Sequence, residues 1–257
     1  MHADTDQAII IPFPDPVLER SVDQLEQVAG DESVGTVSDS DVQPAIDDQW
    51  LDELADGLSQ SAWMQLDLTP RLPAGLLAAL RNEVAILDKT EAMSRAGIGR
   101  GTDLVKDRSV RRDRIAWLDG CSEPQRLLFN CLEQVRQGLN RRLYLGLKRF
   151  EAHYATYHPG DFYKRHLDSF RGRASRVVSL VLYLNDDWGL EDGGELRVFA
   201  AEDSRQVVGQ VVGQVRPEAG RAVLFLSEQV PHEVLPARRT RYSIACWFRQ
   251  DEVPLPL

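Results

Sequence analysis

The chain has 257 residues, 43% hydrophobic and 27% charged, with a formal net charge of −10, a size that suits one ordinary domain with an appendage. No run approaches the ~18 apolar residues of a membrane span, and no basic start followed by an apolar stretch marks a secretory signal. Three cysteines with no CxxC pair exclude a disulfide framework and a cysteine-rich zinc site. These features together predict a cytoplasmic protein with no membrane partner.

Residues 1–50 hold twelve acids against one base, Arg20, so −11 resides there and +1 is left for residues 51–257. The near-neutral body offers no overall attraction for nucleic-acid phosphates, so no nucleic-acid partner is expected. Residues 1–45 have one short apolar run, Ile9-Ile10-Ile11, and otherwise bury too little to offset their ordering entropy. They read as a flexible acidic tail that adds solubility or docks on a basic partner.

Order is expected from Asp47, where Trp50, Leu51, Leu54 and Leu58 fall at helical spacing behind two acids that suit a helix N-terminus. Alternation over Trp63–Leu68 predicts a strand before Pro70. Pro73 is read as opening a second helix, with Leu76, Leu77, Leu80, Val84 and Leu87 on one face. From Lys89 to Arg112 the pattern dissolves into a long loop with Gly97, Gly99 and Gly101, a length often found in functional loops. Those glycines lack the strand and spacing of a dinucleotide motif and suit loop mobility.

A strand over Arg114–Leu118 ends at Asp119-Gly120, and a third helix runs from Glu123 to about Tyr144. Its stripe is Leu127, Leu128, Cys131, Leu132, Val135 and Leu139. Strand-like runs then recur at Arg149–Tyr157, Arg176–Asn185, Glu195–Phe199, Arg221–Leu226, Glu233–Leu235 and Arg241–Phe248. Strands following helices predict an α+β domain whose antiparallel sandwich or barrel is covered by helices on one outer face. The division is a tail over 1–45 and a domain over 46–257, with helical support at 46–147 and a β core at 148–250.

The sharpest constellation is His166-Leu167-Asp168 with His232 downstream. Residues i and i+2 of a strand share a face, so His166 and Asp168 are expected to meet one ion together. Two imidazoles and a carboxylate leave the opposite coordination positions open, as in the facial triad of non-haem Fe(II) oxygenases. Nine residues after His232, Arg241 shares a strand face with Ser243, Ala245 and Trp247. An arginine among small residues is costly to bury unless paired, and its planar guanidinium matches a carboxylate. On the central strand, Ser179, Val181 and Tyr183 share a mixed face that suits a pocket, opposite an aliphatic face of Val178, Leu180, Leu182 and Leu184. His153 and His158 are assigned no ligand role, His153 being read as out of phase with Tyr154 and Tyr157.

The blocks Tyr163–Asp168, LYLNDDW (182–188), GGELRVF (193–199), PHEVLPA (231–237) and TRYSIACWF (240–248), with Val110–Gly120 upstream, resemble 2-oxoglutarate- and Fe(II)-dependent prolyl hydroxylases. Within that superfamily the likeness is to the hypoxia-factor prolyl hydroxylases and their bacterial relatives. It covers roughly residues 47–257 and not the acidic tail. The resemblance implies a double-stranded β-helix (jelly roll) and iron ligands at His166, Asp168 and His232. It implies Arg241 and Tyr183 on the distal carboxylate of 2-oxoglutarate, Tyr157 beside the iron site, and Arg176 and Trp247 near the substrate prolyl ring. This chain carries His158 between Tyr157 and Pro159, where the family usually has Tyr-Pro-Gly. A lid over about 95–112 would close on the substrate.

The implied cofactors are Fe(II), 2-oxoglutarate and dioxygen, with ascorbate as a further one, and succinate and CO2 as coproducts. The implied partner is a protein with an exposed proline, such as a translation GTPase loop, with oxygen sensing as an associated role. Hydroxylation of a small molecule or free amino acid, and a metal-dependent sensing module without turnover, remain open alternatives.

Overall fold

The computed structural model describes residues 46–96, 107–169, 175–200 and 209–250. The acidic segment and residues 97–106 of the expected lid lie outside the described residues. Among the described residues there are three α-helices: α1 (Asp48–Ser61), α2 (Leu76–Lys89) and α3 (Glu123–Leu143). The strands are β1 (Trp63–Asp67), β2 (Ser94–Arg95), β3 (Arg114–Trp117), β4 (Arg149–Tyr157), β5 (Tyr163–His166), β6 (Arg176–Tyr183), β7 (Leu196–Phe199), β8 (Val211–Val215), β9 (Arg221–Leu226), β10 (His232–Val234) and β11 (Arg241–Arg249).

Helix starts follow local chemistry. The Asp47 carboxylate accepts from the Trp50 N–H at 2.8 Å, and the Ser122 hydroxyl accepts from the Gln125 N–H at 3.3 Å, so each satisfies an amide that the helix leaves unpaired. Helix α2 begins at Leu76, later than the Pro73 start expected. Pro73 lies in a turn whose carbonyl accepts from Leu76 N–H, and Gly75 takes φ +76° to leave that turn.

A seven-stranded sheet in the order β1-β9-β6-β11-β4-β3-β2 faces a four-stranded sheet in the order β5-β10-β7-β8, with every named pairing antiparallel. Alternation decides what each face of the large sheet does. Its even-numbered residues, including Tyr154, Leu180, Leu182, Leu224, Ile244, Cys246 and Phe248, pack in one core with Leu54 and Leu58 of α1, Leu80 and Val84 of α2, and Leu132 and Leu139 of α3. The odd-numbered face turns inward: Tyr183, Val223 and Phe225 pack with Leu196, Val198 and Val215 of the small sheet. At one end the indole of Trp63 lies so close to Gly213 of β8 that a methyl group there would overlap it, so this contact between the sheets requires a glycine.

The expected strands over 149–157 and 221–226 coincide with β4 and β9. Strands β2, β5 and β8 lie outside the strand runs expected from sequence. Among the described residues no helix is long and apolar enough to cross a membrane.

Candidate metal and cosubstrate site

The metal-binding geometry arises between the sheets. Strand β10 pairs with β5 so that His232 lies directly opposite His166. Asp168 is not on a strand face with His166, as the i, i+2 argument expected: β5 ends at His166, and Asp168 sits in the bend that follows. The bend turns the carboxylate back, placing its Oδ1 at 3.5 Å from His166 Nε2 and 3.8 Å from His232 Nε2. The ligand atoms of the three residues all lie within 4.8 Å of one another.

Backbone carbonyls orient both rings. His166 Nδ1 lies 2.8 Å from the Lys164 oxygen, and His232 Nδ1 lies 3.0 Å from the Val230 oxygen. A carbonyl can only accept, so each ring carries a hydrogen on Nδ1, which leaves Nε2 as the atom available to a metal. Burial, reinforced by the neighbouring His166, holds His232 down to about 4, against the opposing pull of Asp168. Burial would raise Asp168, but His232, His166 and the Ser179 hydroxyl outweigh it and hold the carboxyl below its usual range. The state favoured near neutral pH has one anionic oxygen and an imidazole nitrogen free to donate, which is the form a divalent metal binds. The rings are also packed in place, Tyr163 stacking on His166 at 3.5 Å and Phe225 lying 4.6 Å from His232.

On the inward, odd-numbered face of the large sheet lies a buried cation. Arg241 is 1% exposed. Its Nε donates to the Gly194 carbonyl at 2.9 Å and its Nη1 to the Ser243 hydroxyl at 3.1 Å. The guanidinium lies between the Tyr157 and Tyr183 rings, at 4.8 and 5.0 Å. Its Nη2 and the Tyr183 hydroxyl are both buried without a hydrogen-bond partner, and among the described residues no carboxylate pairs with this cation. Burial pushes the Tyr183 phenol up to about 12, so it keeps its proton and can donate. Gly194 permits this close approach: at φ +72°, an added Cβ would stand 3.1 Å from Arg241 Cδ.

The model of the 2OG-Fe(II) oxygenase superfamily matches residues 152–249. Mouse prolyl hydroxylase EGLN3 is 32% identical over 178 residues, covering 65% of this chain and 68% of that protein. A crystal structure of a Pseudomonas putida prolyl-4-hydroxylase superposes with TM-score 0.69 and 41% identity, over 78% of this chain and 99% of that one. The chain belongs to the 2OG-Fe(II) oxygenase superfamily. A Trichoplax adhaerens prolyl hydroxylase in complex with a hypoxia inducible factor oxygen degradation domain peptide fragment also superposes, with TM-score 0.68 and 25% identity, over 79% of this chain and 90% of that one. The chain spans 35% of the length of human Egl nine homolog 1, to which it is 32% identical over 160 residues.

Members of this superfamily use Fe(II), 2-oxoglutarate and dioxygen, and the donors of this chain fit the first two. His166, Asp168 and His232 supply two nitrogens and a carboxylate oxygen around one point. Arg241 Nη2 and the Tyr183 hydroxyl are buried donors that lack the acceptor a carboxylate would provide. The antiparallel core and covering helices agree with the superfamily's jelly roll, as the sequence resemblance implied.

Of the other expected site residues, Val181 lies on the inward face and packs against the core between the sheets. Ser179, expected on the pocket face, donates to Asp168. The Arg176 guanidinium lies 3.7 Å over the Trp247 ring and is held by Glu151 at 2.6 Å. His158 lies 3.2 Å from Asp88 of α2, apart from the triad.

His153 requires a correction. It shares the odd, inward face of β4 with Tyr157, and its ring stands edge-on to Trp117 and Trp247 at 5.2 and 5.1 Å. The parity with Tyr157 was available in the sequence; the indole contacts required knowing that β3 and β11 flank β4. Burial, then the Arg111 charge, depress its pKa to about 4, with Asp113 opposing. Between about pH 6.5 and about 4 the unfolded chain therefore takes up a proton at His153 that the folded chain does not. Stability from this residue is present above that window and is lost as pH falls through it, by about 3 kcal/mol in all. Urea unfolding across this range should show a shallower pH dependence in His153→Gln than in wild type. Parallel profiles would show that His153 titrates alike in both states.

Proposed function

We propose that the chain is a dioxygenase that hydroxylates a prolyl residue in a protein substrate, holding Fe(II) on His166, Asp168 and His232 and 2-oxoglutarate on Arg241 and Tyr183. The observation that carries this reading is Arg241, buried on the inward face of the large sheet with no carboxylate among the described residues paired to it. When bound, iron and 2-oxoglutarate supply oxidative chemistry that couples decarboxylation to succinate and CO2 with insertion of oxygen into a C–H bond.

The protein's part is to bind, orient and exclude water. His166, Asp168 and His232 would hold the ion through two nitrogens and one oxygen, a donor set that leaves positions for cosubstrate and dioxygen. Arg241 and Tyr183 would anchor the far carboxylate by charge-assisted hydrogen bonds. Tyr157 closes the wall beside the guanidinium, and Phe225 and Val181 supply apolar surface. Trp247, with Arg176 stacked on it and Glu151 holding that arginine, forms the wall against which a prolyl ring packs.

A proline substrate is supported by the similarity to prolyl hydroxylases at 41% and 32% identity. A protein substrate is supported by the surface next to the triad. Arg108, Arg112, Lys164 and Arg165 are exposed there, with Asp107 as the exposed acid among them, an arrangement suited to acidic residues flanking the target proline. Three free cysteines suit a reducing, cytoplasmic setting, with ascorbate as accessory reductant.

The test is succinate formation from 2-oxoglutarate with Fe(II), with and without proline-containing peptides, including a translation GTPase loop and versions with acidic or basic flanks. Turnover stimulated by peptides, most by those with acidic flanks at low salt, is the expected result. Stimulation by free proline or small molecules alone would make the chain a small-molecule hydroxylase. Metal and cosubstrate binding without turnover on any of these would make it a sensing module.

A further inference from the structure

We propose that Ser179 and Ser227 form a directed hydroxyl pair that positions the Asp168 carboxylate to offer a single oxygen to the metal; the proposal rests on reading the triad as a metal site. Ser179 Oγ donates to Asp168 Oδ2 at 2.6 Å and lies 2.9 Å from Ser227 Oγ. Both serines are buried, at 1% and 0% exposure.

The direction of the pair follows from counting hydrogens. A hydroxyl carries one hydrogen, and an ionised carboxylate can only accept. The Ser179 hydrogen is therefore used on Asp168, and the hydrogen between the serines belongs to Ser227. The chain runs from Ser227 to Ser179 to Asp168, and each donor strengthens the next in a site shielded from water.

The pair engages Oδ2 and leaves Oδ1, the oxygen that faces both imidazoles. A carboxylate held in this posture takes one coordination position. Released to rotate, it could take two and compete with a bidentate cosubstrate for the open side of the ion.

Ser227 also joins separate segments. It follows β9 directly, its N–H donates to the Val177 carbonyl at 3.0 Å, and it begins the turn leading to His232. Just past that turn the Val230 carbonyl accepts from His232 Nδ1. The two hydroxyls thus link the bend carrying Asp168, the interior strand β6 and the turn that delivers His232.

The experiment is calorimetric titration of the full chain with Mn(II), without cosubstrate, so that the readout is metal affinity and not turnover. Ser179→Ala is expected to weaken Mn(II) binding about 10–100-fold, whereas Ser179→Thr, which keeps the hydroxyl, restores most of the affinity. Ser227→Ala is expected to weaken binding less. The double variant should be no weaker than Ser179→Ala alone, because Ser227 acts through Ser179. Circular dichroism and thermal melts establish folding. Should Ser179→Ala not fold, weakened Mn(II) binding in Ser227→Ala supports the proposal, and unchanged binding overturns it. Unchanged affinity in a folded Ser179→Ala, or strictly additive losses in the double variant, also overturns it. A wild type that binds no Mn(II) overturns the metal-site reading itself, an outcome separable from the others.

Discussion

The Asp168→Ala variant is expected to bind Mn(II) more than about 100-fold more weakly than wild type and to form no measurable succinate. Removing a residue that merely supports a ligand costs about 10–100-fold, and Asp168 supplies the site's anionic oxygen itself. Without it, two imidazoles remain to hold a divalent ion. Longer reach does not substitute: Asp168→Glu adds a methylene and displaces the oxygen from the point at which the histidine nitrogens converge, so it should also lose most binding. Binding is measured by calorimetry on the folded variants, and turnover by succinate release. A variant that keeps wild-type Mn(II) affinity would show that the ion is held elsewhere.

Replacing Arg241 should produce effects of opposite kind on cosubstrate and on stability. Truncating one partner of a buried, hydrogen-bonded charge pair costs about 2–5 kcal/mol, which corresponds to about 30- to 5000-fold weaker binding of 2-oxoglutarate. Without a bound carboxylate the same guanidinium is a buried cation with no carboxylate partner among the described residues. Exchanging it for an apolar side chain of similar length is therefore expected to leave the ligand-free protein about as stable, or more so. For Arg241→Met the expected result is lost stabilisation by 2-oxoglutarate with an unchanged or raised melting temperature of the free protein. An unfolded variant, or unchanged affinity for 2-oxoglutarate, would assign Arg241 a structural role. Mn(II) affinity should stay near wild type, because Arg241 is not among the metal-ligating cluster.

Much of the fold could be read from local pattern. The strands at Arg149–Tyr157 and Arg221–Leu226, and the helix from Glu123, have their ends where composition and period change. The two faces of β6 separate as expected, Leu180 and Leu182 toward the helices and Tyr183 inward. These features depend on neighbours two to four residues away, which is the range over which strand and helix periodicity acts. The residue types and order of His166, Asp168, His232 and Arg241 likewise pointed to a metal with an anionic cosubstrate before any geometry was known.

What the tertiary structure alone decided lies between segments distant in sequence. Asp168 meets its histidines because the chain bends after β5 and because β10 pairs opposite that strand, not through strand alternation. Ser227 touches Ser179 across 48 positions of sequence, and Trp117 and Trp247 reach His153 from the two strands that flank β4. That no carboxylate among the described residues pairs with Arg241 is also a tertiary fact, since it depends on every element packed around the guanidinium. Side-chain alternation is a property of one strand, whereas register, burial and hydrogen-bond satisfaction are properties of several strands together. For that reason the identity of the chemistry was legible in the sequence, while the arrangement that orients it was not.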